Sequence, residues 1–277
     1  MLTFRTTEAE PLQIQVELTQ PAVYLDYSVI ADLATKNELA GQRMRQMVSD
    51  MKGTLYLSWA HLVELFGLGA GPTFDKIVGY LASFGPYFAI TDADPDAVIQ
   101  REQQWVLGRR NPSLDEDLIG VLGRNWDGRR EMSVGILLDA MAKENGLYQQ
   151  MKEVQAKHRS EVKALFDEQR ERYKVDKQVK RKLDTMKYAY VSPGFVTKKV
   201  RLELARETVR THEQFVLSDT LDFEHAVVSL SYCRYVVLDK KWARRCRVLD
   251  LPKHTATVFD GTEIDRLLAA LENLHHV

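Results

Sequence analysis

The sequence predicts an α/β fold, in which a parallel β-sheet is flanked by helices in three layers and interrupted by a long helical insertion. Up to about residue 96, short apolar runs alternate with helical patterns, as expected for βαβ units. Strand signals are almost absent between residues 97 and 213 and then resume. The chain therefore divides into a first core piece (1–96), a helical, partly basic insertion (97–213) and a second core piece (214–277).

The first core piece contains three predicted strands. They are the apolar runs at residues 22–25 (AVYL), 54–58 (TLYLS) and 86–91. Helical patterns follow the first two strands: residues 27–51, with a break near Asn37–Gly41, and residues 59–66. The residues before the first strand are treated as a short lead.

The insertion is predicted to be helical at residues 97–107 and 131–170, with a loop-rich passage at 111–130 that includes a solvated acidic loop at 115–117. Residues 151–213 contain 17 Lys and Arg against 10 Asp and Glu.

This excess of positive charge favours a helical arm that binds the phosphate backbone of a nucleic acid. The basic run KQVKRK supplies Lys180, Arg181 and Lys182 as substrate-binding candidates. A solvated hairpin that pairs its own charges, or one that docks a partner, is the alternative.

The second core piece begins with a helix whose N-cap is Ser218 or Asp219. A buried strand at residues 235–238 (YVVL) follows. The piece ends with a strand or turn at 256–259 and an amphipathic helix at 263–274.

Four carboxylates on four separate elements are predicted to meet at one edge of the sheet. Asp26 and Asp239 each end a strand, and parallel strands end at the same edge, where open α/β sheets bind ligands. Glu64 and Asp222 lie in the helices after the second strand and before the fourth, and Asp219 is expected at the rim. Carboxylates crowded in this way favour a hard divalent cation, Mg²⁺ or Mn²⁺, and the corresponding chemistry is phosphodiester hydrolysis.

The motifs that contain these acids resemble those of PIN-domain nucleases. They are VYLDYSVI, SWAHLVEL, the D-x-x-H of Asp222 and His225, and LDKKW. The resemblance implies a Rossmann-like PIN fold and one or two Mg²⁺ or Mn²⁺ ions held by Asp26, Glu64, Asp222 and Asp239 for RNA cleavage. It covers both core pieces but not the insertion, which is long for small toxin-type members. Leu238 also stands where Thr or Ser often precedes the last acid.

Other polar residues near these motifs have two interpretations. Ser28 either contacts a phosphate or caps the following helix, and Lys240 is a substrate-binding candidate. His225 is interpreted first as a packing or supporting residue, and His61 as a residue of the helix surface or the core.

The function predicted is that of a metal-dependent endonuclease, most directly an endoribonuclease with DNA left open as substrate. A bacterial toxin or defence effector with an inhibitory protein partner, and self-association as a homo-oligomer, are compatible with it. An inactive PIN-like module that binds RNA or protein is the alternative. A phosphatase of the haloacid dehalogenase type would need Asp where Ser28 stands, and a receiver domain would need an acidic pair that is missing.

Composition limits the remaining classes. The chain has 45% hydrophobic and 28% charged residues, a net charge of −1 and two cysteines, as expected of a globular cytoplasmic protein without a disulfide framework. No apolar run approaches the roughly 20 residues of a membrane helix, and the acidic N-terminal stretch lacks the layout of a signal peptide.

Overall fold

A five-stranded parallel sheet lies at the centre of the protein, with helices on both of its faces. The computed structural model describes residues 2–7, 10–104, 112–124, 133–143, 147–186, 196–251 and 255–275. Both faces of the sheet are covered, which explains why its strands are short and continuously apolar. The predicted α/β class is confirmed.

The lead before the sheet is itself structured. Strands β1 (Leu2–Thr7) and β2 (Glu10–Val16) pair antiparallel in a separate two-stranded sheet. Leu2 lies opposite Val16 and Phe4 opposite Ile14. The two strands of this lead were not predicted, although the alternating LTFRT and LQIQV patterns contained the signal.

The central sheet has the strand order β5-β4-β3-β6-β7. Its strands are β3 (Ala22–Leu25), β4 (Thr54–Ser58), β5 (Phe88–Thr91), β6 (Tyr235–Leu238) and β7 (Thr257–Asp260). The two central strands, β3 and β6, come from the first and second core pieces, so the crossover brings together segments about 210 residues apart in sequence.

The described helices cover both faces and form most of the insertion. Those of the first core piece are α1 (Tyr27–Thr35), α2 (Glu38–Asp50), α3 (Trp59–Gly67), α4 (Pro72–Ala82) and the first turn of α5 (Pro95–Gln104). The insertion continues with α6 (Glu116–Arg124), α7 (Val134–Lys143), α8 (Leu147–Val175), α9 (Lys177–Thr185) and α10 (Val196–Arg210). The second core piece contributes α11 (Asp219–Tyr232), α12 (Lys240–Arg247) and α13 (Ile264–His275). None of the described helices is long and apolar enough to span a membrane.

Three helix expectations need correction. The passage expected to be loop-rich contains α6, because Asp115 Oδ1 accepts a hydrogen bond from Leu118 N at 3.0 Å and caps that helix. The helix expected at 131–170 is two helices, α7 and α8. Helix α12 follows β6 directly, although only a strand end was expected there. Predictions at residues 105–107, 111, 125–132 and 144–146 lie outside the described residues.

Helix α8 passes from one face of the sheet to the other. Alternate residues of β3 point to opposite faces, with Val23 in one buried apolar cluster and Tyr24 in the second. Met151, near the start of α8, packs against the first cluster, whereas Val162 and Phe166 belong to the second. The middle of α8 therefore crosses the sheet at its carboxyl edge, beside the strand ends.

Candidate active site

Asp26 and Asp239 lie side by side because they follow neighbouring parallel strands. Asp26 N donates a hydrogen bond to Val237 O at 2.9 Å, which fixes the two strand ends against each other. Each acid is also the N-cap of the next helix: Asp239 Oδ1 accepts from Trp242 N at 2.7 Å. Asp26 Oδ2 accepts from the Ser28 hydroxyl at 2.6 Å. Ser28 thus holds the carboxylate of Asp26, whereas its predicted phosphate contact stays a prediction.

Asp222, in the first turn of α11, faces the same edge of the sheet. Burial of its carboxyl group raises its pKa to about 8. Further increases come from the negative charges of the other candidate acids, Asp26, Asp239, Asp219 and Glu64. Each of these four acids therefore lies within electrostatic range of Asp222. The sharing of one or two cations by these carboxylates stays a prediction.

Glu64 lies on α3 at the solvent side of this group. Its side chain is exposed, but nearby protein atoms partly desolvate the carboxyl group and, with the charge of Asp26, raise its pKa to about 7. Arg159 opposes this increase. Arg159 lies in the middle of α8, so the insertion contributes a cation to the acidic edge that the sequence interpretation did not identify.

Asp219 is not at the rim, where it was expected. Its side chain is buried, and Oδ1 lies 2.5 Å from Lys241 Nζ. Oδ2 accepts from Val216 N at 2.7 Å. Because both oxygens have protein partners, Asp219 holds the start of α11 in place, and it adds negative charge behind Asp222 rather than a free ligand.

A buried hydrogen-bond chain lies beneath the acids. Tyr24 OH is 2.7 Å from His225 Nδ1, and His225 Nε2 is 3.1 Å from Ser58 Oγ. Ser58 Oγ is 3.0 Å from His61 Nδ1, and His61 Nε2 is 2.9 Å from Leu25 O. The two imidazoles stack with an interplanar angle of 4°.

The proton positions in this chain follow from its two ends. Leu25 O can only accept, so His61 Nε2 carries a proton, and Ser58 N donates to His61 Nδ1 at 3.0 Å. His225 then donates through Nε2 to Ser58 Oγ and accepts the Tyr24 hydroxyl proton at Nδ1. Burial lowers the pKa of His61 and of His225, so both rings are neutral.

Three of the acids are close in sequence to members of this hydrogen-bond chain. Asp26 follows the bonded carbonyl of Leu25, Glu64 lies three residues after His61, and Asp222 lies three residues before His225. His61 is thus a core residue, not a surface residue, and His225 supports the site as expected. Ser58 and Tyr24 were not identified from sequence. The mirrored spacings H-x-x-E in α3 and D-x-x-H in α11 were the available signal, since each pairs an inward His with an acid one turn away.

The basic candidates are divided between two places. Lys240, at the start of α12, lines a cleft of about 300 Å³ together with Ser28 and Asp239, directly beside the acids. The other three basic candidates are exposed on α9, which packs against α8. They are Lys180, Arg181 and Lys182, and none of them forms an ion pair within the part of the chain that the structure describes.

The acidic edge has the chemistry of a hard-cation site. In the described residues, no group of three or more His, Cys, Asp or Glu side chains is already spaced to hold a metal ion. The donors are nevertheless carboxylate oxygens, which Mg²⁺ and Mn²⁺ prefer. Burial raises the pKa of Asp222 most, and a divalent cation would offset the further increase that comes from the neighbouring negative charges. Comparisons with protein-family models, curated proteins and solved structures found no match to this chain.

Proposed function

We propose that this protein is a metal-dependent endonuclease that hydrolyses phosphodiester bonds. The observation that supports the proposal is that burial, together with the charges of the neighbouring candidate acids, raises the pKa of Asp222 at the sheet edge where Asp26 and Asp239 follow neighbouring strands. Crowded carboxylates that repel one another in the metal-free protein are suited to a cation and poorly suited to a purely structural role. The preference for RNA rests on the resemblance to PIN-domain nucleases.

The roles of the residues follow from their environments. Asp26 and Asp239, each held by a cap hydrogen bond, are the fixed ligands for Mg²⁺ or Mn²⁺. Asp222 and Glu64 give up their protons when the cation enters. Bound there, the cation supplies an activated water and neutralises charge on the phosphodiester transition state. The chain of buried histidines keeps the acids in register without taking part in proton transfer.

The substrate path proposed here uses the cations around the acidic edge. Lys240 and Ser28 line the cleft next to Asp239, and Arg159 approaches from α8 beside Glu64. A polynucleotide over the acids would meet positive charge on both sides, which offsets the repulsion between its phosphates and the carboxylates. On the basis of the resemblance to PIN-domain nucleases, we also propose a toxin or defence role with an inhibitory protein partner.

A cleavage assay on mixed RNA and DNA tests this proposal. Wild-type protein should cut with Mg²⁺ or Mn²⁺ and not with EDTA, and Asp26→Asn or Asp239→Asn should lower cleavage by at least about a hundredfold, because a lost ligand displaces the activated water. Asp265→Asn, an exposed acid in the first turn of α13, is the matched control and should keep full activity.

Two outcomes contradict the nuclease proposal. One is cleavage that continues in EDTA or in the Asp239→Asn protein. The other is tight RNA binding without any cleavage by the metal-loaded wild type, which is the result that the inactive-module alternative predicts.

A further inference from the structure

A second pocket lies beside the acidic edge, on the opposite side of the α8 crossing from the cleft at Lys240. Its volume is about 600 Å³, and it opens at the carboxyl ends of β4 and β5. Trp59, the first residue of α3, forms one wall, and the segments after β5 and at the start of α6 provide aspartates. Helix α8 covers it with Met151, Val154 and Gln155.

The aspartates in this pocket are hydrogen-bond acceptors at fixed positions and, among the described residues, do not form a metal-ion site. Asp92 Oδ2 is paired with Arg101 at 2.7 Å, and Asp92 Oδ1 accepts from Asp94 N at 2.8 Å, so each oxygen has one protein partner and one further lone pair. One oxygen of Asp94 and one of Asp115 accept backbone N–H groups at 2.8 and 3.0 Å. Burial raises the pKa of Asp115 to about 6, which marks a desolvated carboxyl group. Each of these three side chains therefore keeps acceptor capacity for a ligand while part of its charge is already compensated.

Gln155 supplies the complementary group. Its side chain is only 4% exposed, yet within the described residues its Nε2 donor has no hydrogen-bond partner. Leaving a buried amide donor unpaired is unfavourable, because the donor has lost its hydrogen bonds to water. A ligand that fills this pocket should therefore present an acceptor to Gln155 as well as donors to the aspartates.

The remaining walls favour a flat, partly apolar ligand. Trp59 presents an indole ring, and Met151 adds a flexible thioether side chain. Val154 is 68% exposed, which is unusual for an apolar residue facing a pocket. A planar heteroaromatic ring can pack on such surfaces while its edge makes hydrogen bonds, as unpaired bases do on proteins.

We propose that this pocket binds a guanine base of the nucleic-acid strand. Guanine offers N1–H and the N2 amino group to carboxylates such as Asp92 and Asp115, and its O6 accepts from Gln155 Nε2. Adenine, cytosine and uracil each offer fewer donors on that edge than guanine. The inference rests on the proposed nuclease function, which supplies the substrate class. It adds that this pocket determines which nucleotide sequence the protein prefers.

The position of the pocket suits a base next to the scissile phosphate. Gln155 and His158 face the pocket, and Arg159, the next residue, lies beside Glu64 of the acidic edge. One helical turn advances about 5.4 Å, close to the spacing of neighbouring nucleotides. A strand that places a guanine under α8 can thus present its next phosphate to the acids.

Binding is measured by fluorescence anisotropy on Asp239→Asn protein in EDTA, where cleavage plays no part. The probes are a labelled heptaribonucleotide with one guanosine among uridines, the same strand with inosine, and the all-uridine strand. The guanosine strand should bind roughly tenfold more tightly than the inosine strand, which lacks the N2 amino group. Gln155→Leu and Asp115→Asn, added separately, should each remove most of the preference for guanosine over uridine.

Asn can cap α6 as Asp115 does, so the Asp115→Asn protein should stay folded and any lost preference reports on the pocket itself. Glu153→Gln, an exposed change on α8, should leave the preference intact. Equal affinity for all three strands overturns the inference, and so does a preference that survives both pocket variants. Saturable binding of spermidine that the pocket variants abolish, without any guanosine preference, would make the pocket a cation site and overturn it too.

The outcomes also separate this inference from the nuclease proposal. Metal-dependent cleavage with no guanosine preference refutes the inference alone. A guanosine preference in EDTA, combined with no cleavage by wild-type protein under any metal, refutes the nuclease proposal alone.

Discussion

Asp222 shows the conflict between folding and function at the level of one residue. In an unfolded chain an aspartic acid has a pKa of about 3.9, whereas burial and the neighbouring acids raise the pKa of Asp222 to about 8. Between these two values the folded protein binds a proton that the unfolded chain has released. The free energy of unfolding therefore falls as the pH rises through this window.

Replacing Asp222 with Asn should consequently stabilise the metal-free protein. We expect the free energy of unfolding to increase by about 2 kcal/mol at pH 8, since one pKa unit corresponds to about 1.4 kcal/mol and the neighbouring acids share the repulsion. The gain should shrink toward pH 5. Urea unfolding in EDTA at several pH values measures it, and a variant that is less stable than wild type throughout contradicts the interpretation.

His225 tests the buried hydrogen-bond chain. His225→Phe keeps a ring but removes the hydrogen bonds to Tyr24 and Ser58, leaving two buried hydroxyl groups without their partner. The free energy of unfolding should drop by about 2–4 kcal/mol. Mn²⁺ should also bind more weakly in the fraction that stays folded, because Asp222 is one turn away.

The exposed His212 provides the control for that experiment. His212→Phe should change neither the free energy of unfolding nor Mn²⁺ affinity, since the side chain lies on the surface between α10 and α11. A His225→Phe protein that unfolds normally and binds Mn²⁺ normally would show that the histidine chain does not position the acids.

At the level of elements, the strands of the core were predictable, and several helices were not. Short continuous apolar runs such as residues 22–25 and 235–238, set between helical patterns, favour buried strands, and both strands are observed. Helix α12 (KKWARRCR) has too few apolar residues for a clear helical stripe, and its start depends on the capping side chain of Asp239. Helix α6 likewise depends on the cap at Asp115.

The same distinction applies to the candidate site. Asp26 and Asp239 could be placed from sequence because parallel strands end at one edge. Arg159 could not, because its place beside Glu64 depends on where a 29-residue helix crosses the sheet. The pairing of Asp219 with Lys241 depends on the packing of α11 against α12, which short motifs do not report.

The insertion has two parts with different charge arrangements. Helix α8 pairs several of its charges along its own surface, for example Lys174 with Glu171 at 2.6 Å. In α9, Lys180 stacks near the Tyr173 ring at 5.8 Å, and its two basic neighbours point to solvent. Helix α8 thus matches the alternative in which the insertion pairs its own charges. In α9, the three basic side chains have no ion-pair partner among the described residues.

Replacing Lys180, Arg181 and Lys182 with Glu should weaken RNA binding and flatten its dependence on salt. Each lost phosphate contact lowers the slope of log affinity against log salt by roughly 0.7 for a single strand. Mn²⁺ affinity should not change, because the acidic edge is untouched. Filter binding between 50 and 200 mM salt measures the slope.

A charge-matched triple variant of Arg45, Lys52 and Lys76, which lie outside the insertion, should keep the wild-type slope. If the α9 variant keeps that slope but loses self-association or a co-purifying protein, then α9 is a surface for a protein partner.

In the whole molecule, positive and negative charges are nearly equal in number, but they are concentrated in different regions. The net charge is −1, while positive charge is in excess in the insertion and acids converge at the sheet edge. Helix α8 contacts both apolar layers, and its residues lie beside Glu64 and line the proposed base pocket. Substrate, cation and base recognition are proposed to meet there.

The most direct test of the central claim is calorimetric titration of Mn²⁺ into metal-free protein at pH 7, in two buffers with different ionisation enthalpies. If the acids form a cation site, saturable binding should release about one proton per protein, because Asp222 and Glu64 have pKa values of about 8 and 7 and must ionise. Asp239→Asn should weaken this binding at least about tenfold. Absence of saturable binding, or binding that releases no proton and is unchanged in Asp239→Asn, would contradict the account.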